Sequence, residues 1–208
     1  MSATDILERA SARIADTESL SFALDVEGPT YVDSAETMQL LEATGELVRP
    51  DSVHSRFKVK VLDSVTITME IITVGDETWA TDLITGNWGE APVEFMYNPS
   101  ILFDADDGVG PVMERVTGEK RLEDSEIRDR DVFHVQAEVE PDVIGPLTAN
   151  TLTGAPITVE LWIDQTTFEL LRAKLAESTT DEEDPSVWIL DLDDHGKSFE
   201  IAPPDSGS

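Results

Sequence analysis

The sequence predicts an α+β fold: a curved antiparallel sheet with helices laid over its concave face. Three observations carry this. Apolar and polar residues alternate with a period of two in run after run between residues 19 and 192. Short turn signals, not long helices, separate the runs, so neighbouring strands are antiparallel. Helical periodicity is confined to the start of the chain and to a Gly- and Pro-rich stretch near its middle.

The first element is a helix. Ile6, Leu7, Ala10 and Ile14 form one apolar face, with Thr4 or Asp5 as cap, Glu8 three residues after Asp5, and an end near Asp16. The period then shortens. Leu20, Phe22, Leu24 and Val26 alternate with polar or small neighbours, and Gly28-Pro29 ends the run. Residues 37–49 are the second strand, closed by Arg49-Pro50-Asp51. In the third, Val53, Phe57, Val59 and Val61 oppose His54, Arg56, Lys58 and Lys60. Asp63-Ser64 turns into Val65, Ile67, Met69 and Ile71, which makes a hairpin. Gly75-Asp76 turns again into Glu77–Thr81, completing a meander of four or five strands.

Residues 82–118 are broken by glycines and prolines. Short helices are expected at Pro99–Phe103 and Pro111–Val116, each opening on a proline at a first-turn position. Strands then resume. Residues 119–128 read as a polar edge strand. Phe133–Glu140, Ile157–Asp164, Phe168–Ala176 and Val187–Leu192 read as further strands, with a loop or short helix at 141–153 and an acidic loop at 179–185. The total is eight to ten strands in one domain, residues 1–202. The tail, 203–208, is expected to lack fixed structure. A sheet with a wholly apolar face must cover it, and the N-terminal and central helices are the covers available.

Composition restricts function. The 208 residues hold 44 Asp plus Glu against 14 Lys plus Arg, a formal charge of −30. That excess opposes nucleic acid binding, which needs cations on phosphates, and opposes electrostatic docking on anionic membranes. A solvated surface explains most of it, and the five lysines also suit high salt. There is no cysteine, hence no disulfide or thiolate chemistry. No apolar run is long enough for a membrane-spanning helix.

Catalytic and metal signatures do not emerge. There is no G-x-S-x-G and no S-x-x-K, and His54, His134 and His195 are far apart. Asp104-Ala105-Asp106-Asp107-Gly108 fails calcium-loop spacing and lacks the closing Glu. The acidic clusters at 181–184 and 191–194 are expected by chance among 44 acids. Accordingly no enzyme activity, metal or cofactor is assigned. The stripe His54, Arg56, Lys58, Lys60 is expected to pair with acids on neighbouring strands, or to meet an anionic headgroup or an acidic partner.

Several stretches carry a resemblance. They are Gly45-Glu46-Leu47-Val48-Arg49-Pro50-Asp51; Trp79-Ala80-Thr81 with Thr85-Gly86-Asn87-Trp88, Pro92, Phe95, Asn98-Pro99 and Leu102-Phe103; and Pro156–Asp164 with Leu170-Leu171-Arg172-Ala173. Together the chain resembles the LppX/LprG-type bacterial cell-envelope lipoproteins from its first helix to Leu192. The resemblance implies a half-open β-barrel like that of the LolA/LolB carriers, with a hydrophobic cavity for acyl chains. It implies an extracytoplasmic protein with a lipid anchor on an N-terminal Cys. This sequence has no Cys, so either the anchor segment has been removed or this member is unanchored.

Residue chemistry points the same way. A strongly curved sheet encloses more space than short helices fill, and unfilled apolar space favours apolar ligands over water. The expected binding residues are Phe22, Leu24, Val26, Phe57, Val59, Val61, Ile67, Met69, Ile71, Trp79, Trp88, Ile101, Leu102, Val112, Met113 and Val116, with Trp88 at an entrance. The expected partner is an acyl-chain lipid, glycolipid or lipidated ligand, carried or presented by a monomer. Two rivals stand beside it: an interaction or sensor domain with the same fold and a filled core, and a hydrolase with two carboxylates converging in a cleft.

Overall fold

Helix α1, Ala3–Ala15, starts two or three residues earlier than Thr4 or Asp5 as cap would place it. Ser2 is the N-cap: its hydroxyl accepts from the Asp5 N–H at 3.1 Å, and the Asp5 carboxylate accepts from the Ser2 N–H at 3.1 Å. This reciprocal box satisfies two N–H groups that helix geometry leaves open. The computed structural model describes residues 1–31, 36–61, 64–82, 85–91, 99–152, 156–177 and 185–204. The acidic loop apart from Pro185, the Asp63 half of one turn, the motif residues Pro92, Phe95 and Asn98, and all but the first two residues of the tail lie outside them.

Twelve strands follow among the described residues: β1 Ser19–Glu27, β2 Met38–Val48, β3 Ser52–Val61, β4 Val65–Val74, β5 Glu77–Thr81, β6 Trp88–Glu90, β7 Thr117–Arg121, β8 Ser125–Ile127, β9 Arg130–Val139, β10 Ile157–Asp164, β11 Leu170–Glu177 and β12 Val187–Asp193. They form one antiparallel sheet ordered β6-β5-β4-β3-β2-β1-β12-β11-β10-β9-β7, with β8 also on β9. The ends of that order do not pair, so the sheet is curved but not closed. The chain starts in the centre, winds outward through β6, and returns from the far edge through β12. The polar run at 119–128 is two short edge strands, β7 and β8, not one. The covers are a 3₁₀ helix, Pro99–Phe103, and helices α2, Val109–Arg115, and α3, Pro141–Ile144. Gly108 precedes α2, so Pro111 is its third residue, not its first.

Register assigns each residue a face. Leu20, Leu47 and Val53 stand side by side and are at most 1% exposed. The next row is Leu192, Phe22, Gly45, Ser55, Ile71 and Ala80. The row beyond runs Val135, Leu161, Ala173, Leu190, Leu24, Ala43, Phe57, Met69, unbroken and apolar across eight strands. A bulge between Leu40 and Glu42 keeps it so. The extra residue lets Leu40 and Ala43, three apart, both face the core, where strict alternation would separate them.

Two glycines set close approaches. A Cβ on Gly45 would lie 2.6 Å from Phe22 Cε1 and 2.5 Å from the His54 carbonyl oxygen, so Gly45 is the bed for the Phe22 ring. A Cβ on Gly110 would lie 2.9 Å from Ile14 Cγ2, which lets α2 cross α1 closely. With α1 supplying Ile6, Leu7, Ala10 and Ile14, the core near Leu20, Leu47 and Val53 is solid.

Candidate binding cavity

Farther along the strands the solid core gives way to a cavity of about 880 Å³. That lies near the top of the range for ligand sites, whereas ordinary interiors hold few voids larger than a water. The cause is the size of the roof. Among the described residues, the 3₁₀ helix, the seven-residue α2 and the α3 turn stand above the row from Val135 to Met69, contributing Leu102, Val109, Val112, Met113, Ile144 and Leu147. These short segments span the curved sheet without filling the space beneath.

Ten of the sixteen expected residues line the cavity: Phe22, Leu24, Phe57, Val59, Met69, Ile71, Leu102, Val112, Met113 and Val116. Val26, Val61, Ile67 and Ile101 are partly buried against the core beside it and do not line it. Trp79 and Trp88 need correction. Ala80 pairs with Ile71 on the concave face, so its neighbour Trp79, opposite Ile72, is on the convex face, and so is Trp88, opposite Thr81. Sequence reasoning missed the other half of the floor: Val159, Leu161, Ala173, Leu175, Trp188 and Leu190 from β10–β12. Their alternation was visible, but nothing in it says that β12 returns to pair with β1.

The cavity opens where β1 ends and β10 and β12 begin. Pro29, Tyr31, Glu36 and Met38 form one lip, and Thr148, Ala149, Asn150 and Thr151 the other. Three of these are non-glycine residues in the left-handed region: Glu36 (φ 56°), Ala149 (51°) and Asn150 (56°). Such conformations cost free energy and persist where surrounding structure enforces them. Glu36 is the single carboxylate among the described lining residues. Two converging carboxylates, which glycoside hydrolysis needs, are therefore not found there.

Charged groups are engaged elsewhere. On the convex face His54 and Arg56 both reach Glu70, at 3.1 and 2.9 Å, and Lys58 reaches Glu42 at 2.9 Å, so the basic stripe pairs across strands. His134 stacks on Trp162 and bonds Glu160 there. Asp104 accepts the Asp106 and Asp107 N–H groups, making a turn before α2; those two bonds, Asp107 first, hold its carboxyl below the usual range. No group of three metal-ligating side chains converges among the described residues.

At the end opposite the mouth, Arg130 bonds Asp164 at 2.8 Å and Glu169 at 2.7 Å, and Arg13 bonds Glu169 at 2.7 Å. Burial pushes the Asp164 carboxyl up, but the Thr167 and Thr166 N–H groups and Arg130 outweigh it and hold it below its usual value. Glu169 is likewise held low by Arg13 and Arg130 against burial. Beside them, burial pushes the His195 imidazole down. Its Nε2 donates to the Leu170 carbonyl at 3.2 Å, and its Nδ1 is buried with no hydrogen-bond partner among the described residues.

Residues 2–201 match the family model described as LppX_LprAFG lipoprotein. Among solved structures, LprF from Mycobacterium bovis aligns over 98% of this chain and 97% of its own, at 18% identity and a TM-score of 0.77. LppX from Mycobacterium tuberculosis aligns over 96% and 98%, at 13% identity and 0.66. Both likenesses bear on the fold alone. A LolA superfamily protein from Nitrosomonas europaea aligns over 96% of each chain at 12% identity, but its TM-score of 0.32 lends no weight. No curated protein matches the chain.

Proposed function

Because the chain belongs to the LppX_LprAFG lipoprotein family, we propose that it is a non-catalytic carrier. It binds acyl chains of a lipid, glycolipid or lipidated protein in its cavity and carries or presents them in the cell envelope, outside the cytoplasm. The observation that supports this most is the apolar row across eight strands, separated from its short roof by a cavity of about 880 Å³. At roughly 30 Å³ for each water-sized group, that space takes on the order of 30 methylenes, enough for one or two ordinary acyl chains. Each buried methylene contributes about 0.8 kcal/mol, so affinity follows from chain burial with few polar contacts. A domain with a filled core would have no such space to offer.

The test is organic extraction of protein purified from a lipid-rich host, with mass spectrometry of the extract, and titration with a fluorescent acyl probe. Bound acyl lipid and saturable probe binding are expected. Protein that carries no lipid and takes up no probe sinks the reading.

A further inference from the structure

One edge of the sheet is open beside the cavity. Strand β4 runs from Val65 to Val74, but among the described residues β5 covers only its second half, Ile71–Val74. The first half, Val65–Met69, has β3 on one side and no described strand on the other. The Glu70 N–H donates to Thr81 Oγ1 at 2.9 Å, so it points to the side away from β3. Backbone groups alternate along a strand, and the β3–β4 register is unbroken. The N–H and C=O groups of Thr66 and Thr68 therefore point to the open side as well. Those four groups have no hydrogen-bond partner among the described residues. Sheets ordinarily blunt such edges with charge, bulges or short strands. The far edge, β7, carries Glu119, Lys120 and Arg121 and a register shift, and β6 is three residues long. The open half of β4 is uncharged, regular and β-branched apart from Met69. Val65, where it begins, is 56% exposed, and Met1 is the single other large hydrophobic so exposed among the described residues.

The surroundings decide what fits there. Val65 is opposite Val61, which is opposite the lip residue Met38, and Met69 lines the cavity. The edge thus begins two strand spacings, about 10 Å, from the lip. A second copy of the chain would bring another charge of −30, and like net charge opposes self-association. A lipid headgroup offers no alternating N–H and C=O groups to match the edge. An extended peptide offers them, but so few bonds scarcely exceed the cost of ordering a free peptide. Linkage to an acyl chain held in the cavity lowers that cost, because the second contact becomes intramolecular. We propose that Val65–Met69 of β4 receives, as an added strand, the polypeptide segment next to an acylated residue, with the acyl chains of that residue in the cavity. The ligand class is then a lipidated protein. This rests on the carrier reading above and selects one class among the ligands it allows.

The experiment compares two ligands with identical chains. One is dipalmitoyl-S-glycerylcysteine amide, and the other is the same lipidated cysteine followed by a pentapeptide of alternating Thr and Val. Each displaces a fluorescent acyl probe from the wild type, Thr66→Pro and Thr68→Pro. Proline there removes an outward N–H that the β3–β4 ladder does not use. The pentapeptide should raise affinity roughly tenfold in the wild type. Either proline should cancel that gain and leave the short ligand bound as before. Hydrogen exchange on the wild type needs no variant to fold. The Thr66 and Thr68 N–H groups should exchange freely in the free protein, slow with the lipopeptide bound, and stay fast with the short ligand bound. No gain from the pentapeptide, or no slowing in its complex, overturns the added strand and leaves the carrier reading standing. Slow exchange in the ligand-free protein overturns it as well: the edge then belongs to a second copy if protection grows with protein concentration, and to the chain itself if it does not. Failure of both ligands to displace the probe overturns both readings.

Discussion

The guanidinium of Arg49 lies 4.3 Å from the centroid of the Phe103 ring while its Nη1 donates to the Phe103 carbonyl at 2.9 Å. Its Nε donates to the Thr17 carbonyl at 2.8 Å and its other Nη to the Ile14 carbonyl at 3.1 Å. One side chain from the β2–β3 turn thus ties down the carbonyl ends of α1 and of the 3₁₀ helix. The planar fork makes this possible, since a lysine could reach only one such site well. Arg49→Ala should lower unfolding free energy by about 2–4 kcal/mol, because charged hydrogen bonds are lost and carbonyls left unmet. Arg49→Lys should recover less than half of that. Urea midpoints measure both.

Gly45→Ala should destabilise by about 1–3 kcal/mol, the usual cost of overpacking. The new methyl meets the fixed His54 carbonyl and the Phe22 ring, and that ring lines the cavity. Loss of acyl-probe affinity should therefore accompany the lower melting temperature. Unchanged stability would contradict this packing.

Large residues added at the two ends should behave oppositely. Ala173 lines the cavity, so Ala173→Phe should keep or raise the melting temperature while weakening the acyl probe roughly tenfold or more, equivalent to about 1.4 kcal/mol. Val53 is fully buried in the solid end, so Val53→Phe should cost about 1–3 kcal/mol with the cavity left intact.

Acid should weaken the fold in two stages. His195 has its folded pKa below the unfolded value of about 6.5. The unfolded chain therefore takes the proton first, and stability held above that pH falls as pH drops below it. Asp164 and Glu169, also held low, contribute stability present above the usual carboxylate range and lost as pH falls through it. His195→Gln should remove the first stage and leave the second. Denaturant midpoints between about pH 7.5 and 3 would show both stages.

Trp188 lines the cavity, its Nε1 donating to Thr30 Oγ1 at 3.3 Å, whereas Trp79, Trp88 and Trp162 are on the convex face. A fluorescence change on acyl binding should persist in Trp79→Phe and Trp88→Phe and disappear in Trp188→Phe.

Much of the architecture was legible because its signals are local. Alternation in β1, β3, β4, β9 and β10 marked strands and their apolar faces, and Pro99 marked the 3₁₀ helix. Whatever depended on partners was not. Trp79 and Ala80 look alike as candidates for a lipid face until the Ile71–Ala80 register chooses between them. Leu40 and Ala43 share a face only through the bulge. The β12 half of the cavity floor depends on pairing between residues more than 160 positions apart, Leu24 with Leu190. Ser2, one turn outside the apolar periodicity, capped α1 in place of the better-flanked Thr4 or Asp5.

The contrast between a solid end and a hollow end has a kinetic consequence. Leu20, Leu47, Val53, α1 and the Arg49 tie hold the sheet from its solid end, through contacts that do not involve the cavity. Under the proposed carrier role, cargo would meet a site already formed, so binding would not carry the ordering cost of coupled folding. Exchange of a bound molecule would thereby, under that role, be uncoupled from the lifetime of the fold.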